Sequence, residues 1–231
     1  MKNKILISFP FLVLILVSTL AFSQNGEVRD VSDFTTISLG IHAELYLTQG
    51  SPQKLVIEAS EDQLGNIETV VKEGHLRIKS DRSITRFKDV KIWITVPTVE
   101  AIALSGSGKI MAETAINSEE LDLKISGSGK LNIDELQAEE LGAAISGSGN
   151  LYLSGSAEEA EIRISGSGSV FASGLKVAEC GVKISGSGSC EVDATGELNA
   201  AISGSGRVTY FSNPQIDAAV SGSGRVKKGE K

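Results

Sequence analysis

The chain has 231 residues, with 22 lysines and arginines against 29 aspartates and glutamates, which gives a formal charge of −7. An acidic surface repels phosphate backbones, so the charge balance argues against nucleic acid as a partner. The 25 glycines and two cysteines are the other unusual counts. The length suits one domain built around one core.

The N-terminus predicts an export signal. Two lysines precede an apolar run over residues 5–17, and Ala21 and Ser23 supply the small residues that a signal peptidase needs. We therefore expect residues 1–23 to be a signal peptide that is cleaved before Gln24. An uncleaved anchor is the alternative, since the run is nearly long enough to span a bilayer. Cleavage would place the protein in the periplasm, at the cell surface or outside the cell, without a transmembrane segment.

Residues 24–104 alternate apolar and polar side chains in short runs that are typical of strands. The candidate strands are Phe34–Leu39, Ala43–Thr48, Leu55–Ala59, His75–Ser80 and Val90–Val96. The pair Glu73-Gly74 predicts a turn, and residues 61–67 predict one helical turn. We expect this region to form the first, irregular rungs of the repeat that follows, with residues 78–83 as a degenerate copy. A separate small β domain is the alternative.

Residues 105–231 contain seven copies of Ser-Gly-Ser-Gly. The copies begin at Ser105, Ser126, Ser146, Ser165, Ser185, Ser203 and Ser221, so successive steps are 21, 20, 19, 20, 18 and 18 residues. A repeat of about 20 residues indicates stacked units that bury their apolar faces against their neighbours. The pattern predicts an all-β fold, a right-handed parallel β-helix or solenoid with one Ser-Gly-Ser-Gly motif in each rung.

The residues that precede each copy alternate in character. An aliphatic residue always comes directly before the first serine, as Ile145 and Ile164 do, and the position before that holds Lys124, Arg163 or Lys183 in three rungs. Period-two alternation predicts a strand that buries one side and exposes the other. One rung is then a strand, the Ser-Gly-Ser-Gly corner, a second short strand and a polar return such as residues 134–140.

Fourteen glycines in the motifs require a physical reason, because glycine in a strand costs roughly 0.5–1 kcal/mol relative to alanine. A flexible linker would not repeat at a fixed period between aliphatic strands. Either the glycines adopt a positive φ at a corner, or they allow neighbouring chain segments to approach closely. If the strand stays extended, the serines point outward and the glycines inward.

The cysteines, Cys180 and Cys190, lie five residues before and five after Ser185. The same offsets hold aliphatic residues in other rungs, so both are expected to act as small core hydrophobes. In an exported protein, a disulfide could join them if they face each other across the coil.

We found no pattern for catalysis, cofactor binding or metal binding. The sequence Gly-Ser-Gly-Lys lacks the glycine and the hydroxyl residue that a phosphate-binding loop needs around it. His42 and His75 are the two histidines, too few to complete a Ser-His-Asp triad with repeated serines or a zinc site with the cysteines. We therefore assign no catalytic, cofactor-binding or metal-binding residues.

Two further features concern the surface. The pairs Glu119-Glu120, Glu139-Glu140 and Glu158-Glu159 recur in successive returns and predict an acidic stripe, either a solvated edge or a weak cation site. Trp93 points away from the buried side of its strand. It is either covered by an early strand or exposed for stacking on a sugar.

The ordered combination of these segments resembles the bacterial head GIN domain family, whose members are described as auto-transporter adhesin heads. The resemblance rests on the export signal, the Ser-Gly-Ser-Gly repeat and the segments Phe34–Ile37, Leu45–Gly50, Leu76–Ile78 and Ile94–Pro97. It covers about residues 28–226 and implies an envelope or secreted β-helical domain. It supplies no functional residues.

The sequence therefore favours an exported, non-enzymatic solenoid that serves as a structural or adhesive binding module for a carbohydrate or a cell-surface protein. A polysaccharide-active β-helix enzyme is the first alternative, because carboxylates that converge in a cleft could cleave glycosidic bonds. A binder of an ordered lattice such as ice is the second, because outward serines would form a regular hydroxyl array.

Overall fold

The computed structural model describes residues 26–80 and 87–230, so the predicted signal peptide lies outside the described part of the chain. The strands β1–β17 are Glu27–Arg29, Thr36–Leu39, Glu44–Gln49, Lys54–Glu58, Ile67–Lys72, His75–Ser80, Lys91–Val96, Ala101–Gly106, Lys109–Ala112, Ile116–Gly127, Lys130–Gly147, Asn150–Gly166, Ser169–Gly186, Ser189–Gly204, Arg207–Tyr210, Gln215–Gly222 and Arg225–Lys228. A helical turn, α1, spans Glu61–Leu64. All seventeen strands belong to one continuous sheet.

The Ser-Gly-Ser-Gly copies form the predicted ladder. Each pairs in parallel with the next, and the first serines of all seven motifs, from Ser105 to Ser221, are in register. We call the strands before the motif face A and those after it face B. The stacked parallel strands confirm the β-solenoid.

The return between rungs is not the polar loop that we expected. Residues 116–118, 136–138, 155–157 and 175–177 pair in parallel with one another as a third column, face C. Leu136 and Ala138 are buried there. The prediction of a wholly polar return is wrong, because a strand of three residues buries too few side chains to produce a visible alternation in the sequence.

The core is a set of stacked aliphatic columns. Ile145 and Ile164 are each 2% exposed, whereas the side chains of Lys124 and Lys183 are 61% and 63% exposed. The alternation in the sequence therefore identified the buried side of face A correctly. Each methylene that these columns bury adds about 0.8 kcal/mol to the free energy of unfolding, and this burial is the main source of stability.

Both cysteines are free and lie in this core. Cys180 is 2% exposed and Cys190 is 1% exposed. Burial, with a smaller effect from Glu161, raises the pKa of Cys180 to about 12. Burial also raises the pKa of Cys190 well above its usual range. They occupy aliphatic positions, as expected of small core hydrophobes.

The two glycines of each motif have different reasons to be glycine. Gly166, a first glycine, has a φ of 118°, which side chains rarely adopt, and a Cβ there would lie 2.6 Å from the carbonyl oxygen of Gly147. Gly168, a second glycine, is buried, and its Cβ would lie 2.5 Å from Cγ2 of Ile145. The chain therefore bends at the motif, as one of the two explanations for the glycines requires, and the extended form in which glycines would point inward does not apply.

The corner keeps its backbone hydrogen bonds despite the bend. The Ser167 amide donates to the Gly147 carbonyl at 2.9 Å, and the Ser169 amide donates to the Gly149 carbonyl at 3.0 Å. The same pair of bonds recurs at the corners above and below. An unpaired buried amide would cost free energy of folding, so these hydrogen bonds between neighbouring corners allow a sharp corner in every rung.

The N-terminal strands join the same sheet in an interleaved order. Strand β2 lies between β6 and β8, and β3 lies between β7 and β9, with all four pairings parallel. Ile78 is aligned with Leu39, in the aliphatic column of face A. Residues 81–83 of the expected degenerate copy lie outside the described residues. In the neighbouring rung, which β2 and β3 form, the corner is Gly40–Ala43. The sequence analysis did not recognise this segment as a corner.

The two ends of the solenoid differ. At the N-terminal end, β4 pairs antiparallel with β7, β1 with β4, and β5 with β6. At the C-terminal end, β16 and β17 form the last rung, and all eight residues of β16 are exposed. Antiparallel strands therefore form the end that begins the coil, whereas parallel strands form the last rung.

Candidate functional site

The main candidate site is a groove on the outside of face A, which we call the ladder groove. Its volume is about 750 Å³. One wall is the column of residues two positions before each motif, and the other is the column of first serines. The wall residues are Lys124, Ala144, Arg163, Lys183, Ala201 and Ala219 on one side, and Ser126, Ser146, Ser165, Ser185, Ser203 and Ser221 on the other.

Strand geometry explains the groove. Residues two apart on a strand point to the same face, so both walls project outward while the aliphatic residue between them faces the core. The exposed backbone of those aliphatic residues and the small side chains of Ala144, Ala201 and Ala219 form a carbon-rich floor. Six rungs separated by strand spacings of about 4.8 Å make the groove about 24 Å long.

Three cations lie along one wall of the ladder groove. Lys124 pairs with Asp122 at 3.2 Å, and the Arg163 guanidinium lies 3.0 Å from Glu161, which is also 4.0 Å from Lys183. These pairs are exposed, and exposed pairs contribute about 0–1 kcal/mol, so an anionic ligand could displace them at low cost.

The opposite wall offers unpaired hydroxyl groups. Along the part of the chain that the structure describes, none of the six serines that line the ladder groove has a side-chain hydrogen bond to another protein group. An exposed hydroxyl can both donate and accept, and here the positions repeat at every rung. The groove therefore presents a regular row of free hydrogen-bonding groups.

The lining combines positive charge, hydroxyl groups and apolar surface. The residues that line the ladder groove are lysine, arginine, isoleucine, valine, alanine and serine, without an aromatic ring, carboxylate, amide or imidazole. Stacking on a sugar needs an aromatic face. The groove can hold an extended, partly apolar ligand with negative charge.

The acidic stripe is present and longer than predicted. Glu120, Glu140, Glu159, Glu179 and Glu197 are in register on successive rungs. Within residues 26–80 and 87–230, no group of three or more His, Cys, Asp or Glu side chains is arranged to hold a metal ion. The stripe therefore reads as a solvated edge whose like charges repel.

Carboxylates also meet in a second groove, of about 780 Å³, beside the first rungs. It is lined by Glu100, Glu119, Glu120 and Asp122 among other residues. Glu100 accepts a hydrogen bond from the Thr35 hydroxyl at 2.7 Å. The three glutamates are exposed, whereas a glycosidase acid is usually held in apolar surroundings that keep it protonated. This groove is the place where the enzyme alternative would have to operate.

The structure brings together a serine and a histidine that the sequence did not connect. The Ser38 hydroxyl lies 2.5 Å from Nε2 of His75, on neighbouring strands β2 and β6. Burial, with a smaller effect from Arg77, lowers the pKa of His75. Among the described residues no carboxylate hydrogen-bonds to His75, so the third member of a triad is missing. Residues 37 apart give no sequence signal for such a pair.

Trp93 matches neither of its two expected environments. It is half-buried on the outer side of face B, where it is in register with Tyr46 on one side and Val56 on the other. The Tyr46 and Trp93 rings stack at 5.6 Å with an interplanar angle of 14°. The Tyr46 ring therefore covers one face of the indole.

Among the described residues, no helix is long and apolar enough to cross a membrane. A family model described as "Putative auto-transporter adhesin, head GIN domain" matches residues 33–214. No curated protein matches the sequence at a significant level.

The chain is similar in fold to several crystal structures. A crystal structure of a "putative adhesin" from Bacteroides fragilis NCTC 9343 has 26% identity and a TM-score of 0.78, over 89% of this chain and 96% of that chain. A second "putative adhesin", from Parabacteroides distasonis, has 21% identity and a TM-score of 0.74, over 88% and 96%. A "putative lipid binding protein" from the same species has 23% identity and a TM-score of 0.69, over 90% and 98%. On the strength of the family match, the chain belongs to the head GIN domain family of auto-transporter adhesin heads, as the resemblance of its sequence indicated.

Proposed function

We propose that this protein is an exported, non-enzymatic binding module that attaches to a cell-surface molecule through the ladder groove. The observation that carries the proposal is the continuity of the groove over six rungs, with free hydroxyls on one wall and a carbon-rich floor. An extended ligand in a straight groove meets protein groups at regular intervals, and the repeat supplies similar groups at each rung. The adhesin description of the family supports an adhesive role.

The lining favours an extended polypeptide or another chain with apolar and anionic groups over a carbohydrate. Lys124, Arg163 and Lys183 provide positive charge, and the alanines between them leave room for apolar side chains. A carbohydrate partner remains the second candidate. The row of serine hydroxyls is the observation that favours it, since hydroxyls can replace water around a sugar.

The proposal is tested by blocking the groove. Ala201 is exposed and lines the groove, so Ala201→Trp should fill it without disturbing the core. Ala178 is exposed but lies outside the groove, so Ala178→Trp is the matched control. Adhesion of the purified protein to intact cells is the readout. We expect Ala201→Trp to abolish adhesion and Ala178→Trp to preserve it.

Treatment of the target cells separates the two partner classes. If the partner is a surface protein, protease treatment of the cells removes binding and periodate oxidation of their glycans does not. The opposite result selects the carbohydrate. Equal adhesion by both tryptophan variants would show that the groove is not the binding site.

The enzyme alternative has its own test at the acidic groove. Release of reducing ends from polysaccharides by the purified protein, lost in Glu120→Gln and retained in Glu191→Gln, would replace the binding proposal with a hydrolase. We expect no release from either variant or from the parent protein.

A further inference from the structure

The exposed large apolar side chains of the described residues are confined to the two ends of the solenoid. Val28 on β1 and Val70 on β5 are 63% and 45% exposed, and Ile216 and Val220 on β16 are 40% and 44% exposed. The column that ends at Val220 is buried in the rung before it, where Ile202 is 2% exposed, whereas Val28 and Val70 lie on the outer side of the sheet, in register with Val56 and Arg77. Exposed apolar groups beside open sheet edges mark places where another chain can add.

The two ends terminate the same two columns of strands. Among the residues that the structure describes, the column on face A begins with β5, which pairs only with β6, and ends with β16, which pairs only with β14. On face B, within the same residues, it begins with β1, which pairs only with β4, and ends with β17, which pairs only with β15. A second copy displaced along the solenoid axis would therefore bring an open edge against an open edge on both faces.

The charges of the two ends are opposite. Residues 27–34 and 54–73, which we call the head, contain eight acidic and three basic residues. Residues 207–230, which we call the tail, contain four basic and two acidic residues. Like ends repel one another, whereas a head and a tail attract. Arg225, Lys227 and Lys228 on β17 disfavour pairing of two tails in particular.

The head also offers a recess. A groove of about 470 Å³ lies between its edge strands, lined by residues from β1, the end of α1 and β5, and Val70 is one of the lining residues. Val220 and Ile216 project from the tail rung with no layer above them. Val70 and Val220 thus both place apolar surface beside an open sheet edge.

We propose that copies of this chain stack head to tail, with the open tail rung of one copy docked on the head of the next, to form a filament that continues the solenoid. Such a contact joins two different surfaces, so it does not close on itself and can extend indefinitely. Filament growth would repeat the ladder groove along one axis and raise the number of binding sites per particle.

Charge exchange tests the proposal. Sedimentation velocity at about 0.02 M salt should show concentration-dependent assembly that weakens at about 0.5 M salt, because added ions screen the two ends. The tail variant Lys227→Glu/Lys228→Glu and the head variant Glu61→Lys/Asp62→Lys should each raise the concentration for half-assembly by at least about tenfold. The control Lys130→Glu/Lys176→Glu makes the same charge change at exposed positions between the ends and should assemble normally.

A mixing experiment identifies which ends meet. Val70→Lys blocks the head because its charge repels the basic tail, and Val220→Glu blocks the tail because its charge repels the acidic head. Both positions are exposed enough for the fold to tolerate the change, which melting curves verify. Each variant alone should be a monomer, and an equal mixture should form complexes that contain both variants. A dimer of Val70→Lys alone would indicate tail-to-tail pairing and overturn the proposal. A parent protein that stays monomeric at every concentration and salt would also overturn it.

Discussion

In the first rungs and in the regular rungs of this solenoid, different sequences form the corner between face A and face B. Gly40–Ala43 turns the chain between β2 and β3, whereas Ser-Gly-Ser-Gly turns it in the seven rungs from β8 to β17. Ala43 occupies the place of Gly108, as the pairing of Glu44 with Lys109 shows. A Cβ is present at this place in the earlier rung, whereas at Gly108 it would lie 3.0 Å from the Ala43 carbonyl oxygen, so a neighbouring group would have to shift.

The first glycines show when this requirement begins. A Cβ on Gly106 would have nothing within 4 Å, whereas a Cβ on Gly127 would lie 2.6 Å from the carbonyl oxygen of Gly106. Both have a positive φ, of 96° and 118°. The positive φ therefore favours glycine in every copy, including the first. The close contact excludes a Cβ only where one copy stacks on a preceding copy.

The largest expected effect comes from the core column of the regular rungs. Ile145→Asp places a carboxylate among stacked aliphatic side chains, so we expect the free energy of unfolding to fall by about 3 kcal/mol or more. Lys183→Asp, on the exposed side of the same face, should change it by less than about 1 kcal/mol. Urea denaturation measures both, and equal losses would mean that the assignment of the buried side is wrong.

The next effect concerns the stacked corners. Gly166→Val combines a disfavoured φ with a collision against the preceding rung, so it should lower the free energy of unfolding by more than about 1 kcal/mol despite the higher strand propensity of valine. Ser167→Thr, at an exposed position beside it, should leave the melting temperature nearly unchanged. A stabilising Gly166→Val would remove the structural explanation of the motif.

A comparison of first glycines isolates the contribution of stacking. Gly106→Ala and Gly127→Ala both incur the dihedral cost of about 1–2 kcal/mol, but only the second meets a neighbouring backbone. We expect Gly127→Ala to be more destabilising by about 1 kcal/mol. Thermal melts of the two variants provide the measurement, and equal losses would show that the corner alone, without stacking, dictates glycine.

The smallest effect belongs to the acidic stripe, a feature of the regular rungs. Glu159 lies between Glu140 and Glu179, so Glu159→Gln should raise the free energy of unfolding by about 0.3 kcal/mol at low salt. Salt should reduce this gain because it screens the repulsion. Glu191 lies between Phe171 and Thr209 on face B, so Glu191→Gln is the control and should show no gain. A loss of stability in Glu159→Gln would instead suggest that the stripe holds a cation.

The repeat made the regular rungs readable from the sequence. A fixed period and strict alternation predicted that Ile145, Ile164 and the cysteines lie in the core and that the serines lie outside. Face C was not predicted, because its strands have three residues and three of them directly precede the glutamate pairs. The corner at Gly40–Ala43 escaped because it shares one glycine with the motif and no serine.

The candidate sites were less accessible from the sequence than the fold. The ladder groove follows from alternation once the rungs are stacked, but its depth depends on alanine at three of six outward positions, a detail with no motif. The Ser38–His75 pair and the interleaving of β2 between β6 and β8 join segments far apart in the chain. Such contacts are set by the order in which strands enter the sheet, which local patterns do not encode.

The central claim is that the seven motifs form one straight ladder, and a distance between its ends tests it most directly. Spin labels at Ser105→Cys and Ser221→Cys should lie about 29 Å apart, six strand spacings, and labels at Ser105→Cys and Ser185→Cys about 19 Å apart, four spacings. The native cysteines are buried and should not react with the label. Pulsed electron–electron double resonance measures both distances. The account predicts both values, with the longer distance for the more distant motif. A separation of less than about 15 Å between the first and last motifs, as in a closed ring of repeats, would contradict it.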